Sequence, residues 1–292
     1  TGSDGKTTTT SIIAGMLEKS GRRVFLGGNI GRPLLPEIEK IRPEDAAVVE
    51  HTIRVVNGRV PVMVGSGSNC TVTQIEKSRL YQSMGADALL QVTPYYNKAS
   101  QEGLVRHFTQ VADHVSIPIL LYNVPGRTGV TIQPETYRIL SEHPNIRGTK
   151  EASGNLSLIA RTAALCGQGF DIYSGNDDQT VPIMSLGGKG VVSVLANIMP
   201  KETHKMCRLY LDGDVKESRR MQLKLLEIME ALFWDVNPIP VKAALGLMGI
   251  CGDDLRLPLT PMEPEQRERL AEVMKRQGIS LKKELHNQTN LL

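Results

Sequence analysis

Short apolar runs recur along the chain from residue 60 onward, and stretches with helical spacing separate them. The runs begin near residues 60, 88, 117, 145, 171 and 190, and the helical patterns lie at 72–84, 104–114, 134–142, 156–166 and 179–186. Runs of this length are typical of strands buried on both faces. Because helices alternate with such strands, the pattern indicates a parallel sheet.

The two ends of the chain follow other patterns. Residues 24–27 form one more short apolar run, which gives about seven predicted strands, and 36–41 and 45–56 have helical spacing. After residue 196 only helical patterns remain, at 200–211, 215–233, 240–247 and 264–276. A closed (β/α)8 barrel has eight strands. We therefore predict an α/β fold: a TIM barrel incomplete at its amino end, a helical carboxy-terminal extension over 197–279, and a polar tail at 280–292.

Composition and charge limit the classes of partner. Hydrophobic residues make up 40% of the 292 residues and charged residues 22%, with a formal net charge of +3. The basic residues form no tract, and no apolar run approaches the ~18 residues of a membrane span. We expect small-molecule partners, no nucleic acid and no membrane, and, since no signal-peptide pattern is present, a cytoplasmic location. Neither a zinc site nor a disulfide framework is predicted, because the cysteines are widely spaced: Cys70, Cys166, Cys207 and Cys251.

Chemically capable side chains gather where the predicted strands end. The sequence T-P-Y-Y-N occupies 93–97, Y-N-V-P-G-R-T-G occupies 122–129, and G-T-K-E-A-S-G-N, which contains Lys150, occupies 148–155. In a barrel the carboxyl ends of all strands form one face. One amine, three tyrosines and one arginine therefore converge on that face.

Lys150 is the candidate nucleophile. An apolar barrel mouth disfavours the ammonium form, so the amine can attack a carbonyl; a nearby tyrosine can move protons and an arginine can bind a carboxylate. Taken singly, the lysine is more often a solvated surface charge and the tyrosines packing residues. Their coincidence on one predicted face favours a shared site. The sequence does not predict a metal site at this face, since no histidine lies at the end of a predicted strand.

The first residues form a glycine-rich turn followed by a lysine and a hydroxyl: Gly2, Gly5, Lys6 and Thr7. Such a turn can cradle a phosphate at a helix amino terminus, but it needs a preceding strand, and the sequence supplies none. We therefore interpret it as a residual phosphate loop. Residues 1–50, with G-S-D-G-K-T-T-T and L-G-G-N-I-G, resemble the ATP-binding segment of the UDP-N-acetylmuramoylalanine D-glutamate ligases. We expect this fragment to stand in for the first barrel units, before a barrel at 51–196.

The strand-end motifs, together with Y-S-G-N-D-D and G-G-K-G-V-V-S-V-L-A-N-I, resemble the 4-hydroxy-tetrahydrodipicolinate (dihydrodipicolinate) synthase family over about residues 46–278. The resemblance implies a pyruvate-dependent class I aldolase, a lyase of lysine biosynthesis that condenses pyruvate with L-aspartate 4-semialdehyde. It also implies no cofactor beyond a covalent Schiff base with pyruvate, and a homotetramer built as a dimer of dimers.

The resemblance assigns roles by position. Lys150 would form the Schiff base, Tyr122 would transfer protons beside it, and Tyr96 would cross a dimer interface to complete a neighbour's relay. Arg127 would bind the carboxylate of the semialdehyde.

The resemblance also assigns residues to two pockets. Gly175 and Val192 would line the pyruvate pocket, and Asn69 and Tyr95 would belong to a lysine-feedback pocket at the dimer interface.

One loop departs from the family pattern. The family's G-T-T-G-E loop supplies a threonine to the proton relay, whereas residues 31–35 read G-R-P-L-L and carry no hydroxyl. We therefore expect impaired activity. The alternatives are a muramyl ligase fragment fused to an inactive barrel, a non-catalytic oligomerising barrel, and another pyruvate aldolase of the same superfamily. Arg127 argues against the sialic-acid lyases, which lack an arginine there.

Overall fold

The computed structural model describes residues 48–282. These residues form two compact units, one comprising 48–196 with 201–224 and the other 197–200 with 225–282. The strand predicted at 24–27, the helix at 36–41 and most of the tail lie outside the described residues. None of the helices between residues 48 and 282 is long and apolar enough to cross a membrane.

The first unit contains a six-stranded parallel sheet in which each strand pairs with the next in sequence. The six predicted runs are thereby confirmed as strands. They are β1 (Met63–Gly65), β2 (Ala88–Val92), β3 (Ile119–Asn123), β4 (Ile146–Glu151), β5 (Asp171–Ser174) and β6 (Gly190–Val191). Sequential parallel pairing places every strand's carboxyl end on the same edge of the sheet, as the repeated strand–helix pattern requires.

Helices precede, connect and follow these strands, and those that connect successive strands lie within a few residues of the predicted helical patterns. They are α1 (Val48–Val56), α2 (Thr71–Ser83), α3 (Gln101–Ala112), α4 (Pro125–Thr128), α5 (Pro134–Ser141), α6 (Leu156–Cys166), α7 (Thr180–Ser185), α8 (Pro200–Leu211) and α9 (Val215–Lys224). Side-chain caps fix two of the starts: Ser100 accepts from the Gly103 N–H at 3.1 Å, and Asn155 accepts from the Leu158 N–H at 3.0 Å.

The main core lies between the sheet and these helices. Strand residues such as Leu89, Leu121 and Ile146 are fully buried against helix residues such as Phe108 and Ile159. This layer holds the strands in a fixed register, and the register decides which side chains meet at the strand ends.

An irregularity in β4 sets the register that matters most. Ile119 pairs with Ile146 and the next residue, Leu120, pairs with Gly148, so Arg147 is the extra residue of a bulge. Beyond the bulge, Tyr122 pairs with Lys150. At Gly148 the backbone of β5 approaches so closely that a Cβ would lie 2.2 Å from the Asp171 carbonyl oxygen. Glycine, which has no Cβ, allows this approach.

The structure corrects one predicted element and adds another. The helix predicted at 215–233 is two helices, α9 and α10 (Leu226–Ala231), which are separated at Leu225 (φ −88°, ψ −2°). The segment P-G-R-T-G, for which no helix was predicted, contains the one-turn helix α4, with Pro125 at its start and Gly129 in the left-handed region (φ 73°) at its end.

The second unit is helical in the part of the chain that the structure describes. Besides α10 it contains α11 (Ile239–Leu247) and α12 (Pro264–Arg276). Within this unit the buried Lys242 ammonium donates to the Asp254 carbonyl oxygen at 2.5 Å, which ties α11 to the loop before α12.

Candidate active site

The Lys150 amine lies over an aromatic ring. Lys150 and Tyr122 are register partners on β4 and β3, and the Lys150 Nζ is 4.2 Å from the centroid of the Tyr122 ring. Both side chains are half-buried. The pair combines a potential nucleophile with a potential proton-transfer group at the carboxyl end of the sheet.

Gly175 packs directly beside this pair. Its N–H donates to the Glu151 carbonyl oxygen at 2.6 Å, and a Cβ at this position would lie 3.1 Å from the Lys150 Cε. Val192 follows β6, where its N–H donates to the Ser174 carbonyl oxygen at 2.8 Å. The absent side chain at Gly175 therefore leaves the space into which the lysine stem extends.

Arg127 is held on the one-turn helix α4. Its N–H donates to the Val124 carbonyl oxygen at 2.9 Å, and its side chain is exposed. The Thr93 hydroxyl at the end of β2 donates to the Thr128 hydroxyl at 3.0 Å, which anchors α4 to the sheet. The short helix thus presents the guanidinium from a fixed base.

The tyrosine pair after β2 has two environments. Tyr96 is 86% exposed and adopts a positive φ of 78°, a conformation that costs energy for a bulky residue. Tyr95 is half-buried, and its carbonyl oxygen accepts from the Asn69 Nδ2 at 3.5 Å. Asn69 and Tyr95 therefore lie together, in the loops that follow β1 and β2.

Asp177, after β5, is a buried acid. Its Oδ1 accepts from the Ser193 hydroxyl, and its Oδ2 accepts from the Val194 and Leu195 N–H groups at 2.9 and 3.0 Å. Burial raises the pKa of the Asp177 carboxyl; these hydrogen bonds and the positive charge of Lys150 act in the opposite direction. The carboxylate fixes the loop after β6, which carries Val192.

Glu151 is a second buried acid and has no exposed surface. It accepts from Asn123 Nδ2 at 2.8 Å, from the Tyr137 hydroxyl at 2.6 Å and from the Ser153 hydroxyl at 2.7 Å. Burial raises the pKa of the Glu151 carboxyl, and the three hydrogen bonds lower it. Burial and the neighbouring carboxylate raise the pKa of Tyr137 well above its usual range.

Comparison with known proteins decides the family. The sequence profile of the Dihydrodipicolinate synthetase family matches residues 39–277. The chain belongs to this family. The 4-hydroxy-tetrahydrodipicolinate synthase of Thermoanaerobacter sp. (strain X514) is 52% identical over 237 residues, which are 81% of this chain and 80% of the relative. The synthase of Caldicellulosiruptor bescii is 48% identical over 267 residues, 91% of this chain and 88% of the relative.

A solved structure of the family agrees with the fold. The chloride-inhibited dihydrodipicolinate synthase of Acinetobacter baumannii, complexed with pyruvate, is 36% identical, has a TM-score of 0.81, and is matched over 94% of this chain and 93% of that one. The C. bescii match is longer than the part of this chain that follows residue 38, so likeness to the family extends into the first 38 residues. The residues of the predicted phosphate loop, Gly2, Gly5, Lys6 and Thr7, lie outside the described residues.

Sequence reasoning missed the supporting residues of this family member's site. The sequence pattern gives Glu151 and Asp177 no role, since their spacing does not suit a pair of metal ligands. Between residues 48 and 282 the structure contains no cluster of three or more metal-ligating side chains. Tyr137 was read only as part of a helix. Position gave a usable signal, because Glu151 and Asp177 follow or end a strand on the face that carries Lys150.

Proposed function

We propose that the chain condenses pyruvate with L-aspartate 4-semialdehyde to give 4-hydroxy-tetrahydrodipicolinate, through a Schiff base on Lys150. The observation that carries the proposal is the Lys150 amine 4.2 Å from the Tyr122 ring centroid, at the strand ends of a chain that belongs to the dihydrodipicolinate synthetase family. No cofactor is required, because the imine itself serves as the electron sink.

The lysine does the covalent chemistry. Its neutral amine adds to the ketone carbon of pyruvate, and loss of water gives a protonated imine. Removal of a proton from the pyruvate methyl group then gives an enamine. The enamine carbon forms a bond to the aldehyde carbon of the semialdehyde, whose oxygen takes up a proton. Attack of the semialdehyde amine on the imine carbon closes the ring and releases Lys150.

Tyr122 is the proton-transfer group of this proposal. Its ring lies against Lys150, so its hydroxyl moves protons during imine formation and enamine formation. Arg127 binds the semialdehyde carboxylate from its fixed position on α4. Tyr96, with its strained backbone and exposed ring, completes the relay of a neighbouring subunit across a dimer interface.

We also propose two binding pockets, one for pyruvate and one for the feedback inhibitor lysine. Gly175 and Val192 line the pyruvate pocket, and Asn69 and Tyr95 form part of a lysine-feedback pocket at the dimer interface. The contact between Asn69 and Tyr95 supports a common pocket. The assembly is a homotetramer, a dimer of dimers, acting in the cytoplasm.

Residues 1–50 determine how far the proposed activity matches that of the family. We propose that the ligase-like fragment predicted at 1–50 is confined to the amino-terminal residues before the family likeness, which covers residue 39 onward and part of 1–38. The barrel at 51–196, with its extension at 197–279, is then incomplete at its amino end. The missing hydroxyl at 31–35 then lowers turnover below that of the family. Titration with Mg-ATP tests the fragment: saturable binding abolished by Lys6→Ala supports a working phosphate loop, and no binding supports a residual one.

Product formation tests the function. The purified chain is incubated with both substrates, and pyruvate consumption that depends on the semialdehyde is measured, with Lys150→Arg as the control. Activity that Lys150→Arg abolishes is the expected result. Consumption of pyruvate with another aldehyde, but not with the semialdehyde, would instead assign another reaction of the superfamily.

A further inference from the structure

The two faces of the β3 and β4 ends carry matched pairs of side chains. Tyr122 pairs in register with Lys150, and Asn123 pairs with Glu151. Because successive strand residues point to opposite faces, Lys150 and Tyr122 share one face, and Asn123 and Glu151 share the other. The contacts agree: the Lys150 amine lies over the Tyr122 ring, and the Glu151 carboxylate accepts from Asn123.

We infer that Glu151 and Tyr137 are positioning residues, which fix from the reverse face the strand segment that holds Lys150. This inference rests on the proposed function of Lys150 as the nucleophile. Neither side chain shares a face with the amine, so both act through the position of the backbone and not by touching substrate.

Tyr137, on α5, contacts the side chains of the two β4 residues that flank Lys150. Its hydroxyl donates to Glu151 Oε1 at 2.6 Å and lies 3.0 Å from the Thr149 hydroxyl oxygen. Thr149 and Glu151 are the immediate neighbours of Lys150. All three members of this network, Tyr137, Thr149 and Glu151, are fully buried, so water does not compete for their hydrogen bonds.

The Glu151 carboxylate is also linked to two loops of the candidate site. Its Oε2 accepts a hydrogen bond from the Ser153 hydroxyl, in the turn after β4. Its partner Asn123 accepts from the Ile132 N–H at 3.1 Å, which holds the segment after α4, the helix that carries Arg127. This hydrogen bond also fixes the orientation of the Asn123 amide, so that its Nδ2 faces Glu151.

Glutamate is well suited to accept the three hydrogen bonds at position 151. Asn123, Tyr137 and Ser153 all present donors, and a carboxylate is an acceptor on both oxygens. A glutamine retains one oxygen, which can serve Asn123 and Tyr137, while its amino group can donate to Ser153. An alanine removes the acceptor of Asn123, Tyr137 and Ser153. The loss is costly at Asn123, whose amide is fully buried, whereas the Tyr137 hydroxyl keeps its contact with Thr149.

The experiment compares Tyr137→Phe, Glu151→Gln and Glu151→Ala with Thr162→Val. Thr162 is a matched control, because it is fully buried and its hydroxyl bonds only within its own helix, to the Leu158 carbonyl oxygen at 2.9 Å. Two quantities are measured: the rate of borohydride trapping of pyruvate over a range of pyruvate concentrations, and hydrogen exchange of segments 129–132 and 152–155.

A displaced nucleophile lowers the maximal rate more than the affinity. We expect Tyr137→Phe to lower the maximal trapping rate by about tenfold and Glu151→Ala by more, with the half-saturating pyruvate concentration changed by less than about twofold. Glu151→Gln should recover most of the loss, and exchange should rise in both segments for Tyr137→Phe and Glu151→Ala. Thr162→Val should match the unmodified chain.

Unchanged exchange in both segments for Tyr137→Phe would overturn the inference, as would trapping by that variant at the control rate. Tyr137→Phe removes a single oxygen atom and therefore carries the test if Glu151→Ala does not fold. If the unmodified chain forms no adduct, the proposed function of Lys150 fails; the exchange measurement still decides whether the network holds the two segments.

Discussion

Gly175 gives the sharpest steric prediction. A Cβ at this position would lie 2.6 Å from the Ala152 Cβ, 3.0 Å from the Glu151 carbonyl oxygen and 3.1 Å from the Lys150 Cε. Ordinary carbon–carbon contacts lie at about 3.5–4.0 Å, so Gly175→Ala creates an overlap of roughly 1 Å with Ala152. The backbone cannot retreat easily, because the Gly175 N–H is bonded to the Glu151 carbonyl oxygen at 2.6 Å.

The overlap has two expected consequences. Overpacking costs about 1–3 kcal/mol, which lowers the melting temperature by roughly 2–5 °C in a chain of this size. The lysine stem must also move, and a displacement on the order of 1 Å lowers the rate of imine formation by about tenfold or more.

The assay is borohydride trapping at saturating pyruvate, followed by intact-protein mass spectrometry, with the melting temperature recorded in parallel. Gly103→Ala is the matched control, because its added Cβ meets only the Ser100 hydroxyl at 3.3 Å and the Ala99 Cβ at 3.7 Å, without the overlap found at Gly175. If Gly175→Ala traps pyruvate at the unmodified rate and melts at the unmodified temperature, the placement of Gly175 against Lys150 is wrong.

Three further predictions concern single side chains. Tyr122→Phe should lower turnover by roughly 100-fold or more, because the proton-transfer group is lost while the ring stays; a steady-state rate within threefold of the unmodified chain would refute the role. Arg127→Ala should raise the KM for the semialdehyde by about 10- to 100-fold and leave pyruvate trapping unchanged, since one charge-assisted contact is lost; Arg106→Ala, an exposed arginine paired with Glu102, is the control. Burial lowers the pKa of His107 from 6.5 to about 4. Between these pH values the unfolded chain therefore binds more protons than the folded chain. The free energy of unfolding should fall by up to roughly 3 kcal/mol as the pH falls through this window. Chemical denaturation at several pH values should show a shallower loss for His107→Gln, and an identical pH dependence would contradict this assignment.

The periodic part of the fold was predictable from the sequence. The six strands and the helices between them follow from runs and spacings that each element carries within itself, and the position of Lys150 at the end of one run marked the candidate site. The family motifs then named the partners of the lysine.

The features that position those partners depend on contacts between distant segments. The bulge at Arg147 aligns Tyr122 with Lys150, yet Ile146, Arg147 and Gly148 read as an ordinary strand, because only pairing with β3 reveals the extra residue. The sequence does not predict the break between the helices at Leu225 either, since apolar residues at helical spacing continue across it.

The buried acids were the least predictable part of the site. Nothing in the sequence around Glu151 and Asp177 predicts their burial, because burial of a carboxylate is unfavourable unless donors surround it. Their donors include Tyr137 and Ser193, which are 14 and 16 residues away in sequence. Only the folded chain brings these groups within hydrogen-bonding distance.

The covalent adduct tests the central claim most directly. The chain is incubated with pyruvate, reduced with borohydride, digested and mapped by tandem mass spectrometry, with Lys150→Arg and a sample without pyruvate as controls. We expect a single pyruvate-dependent adduct, located on Lys150 and lost in Lys150→Arg. A folded chain that carries no adduct, or carries it on another lysine, would contradict the role of Lys150 as the nucleophile.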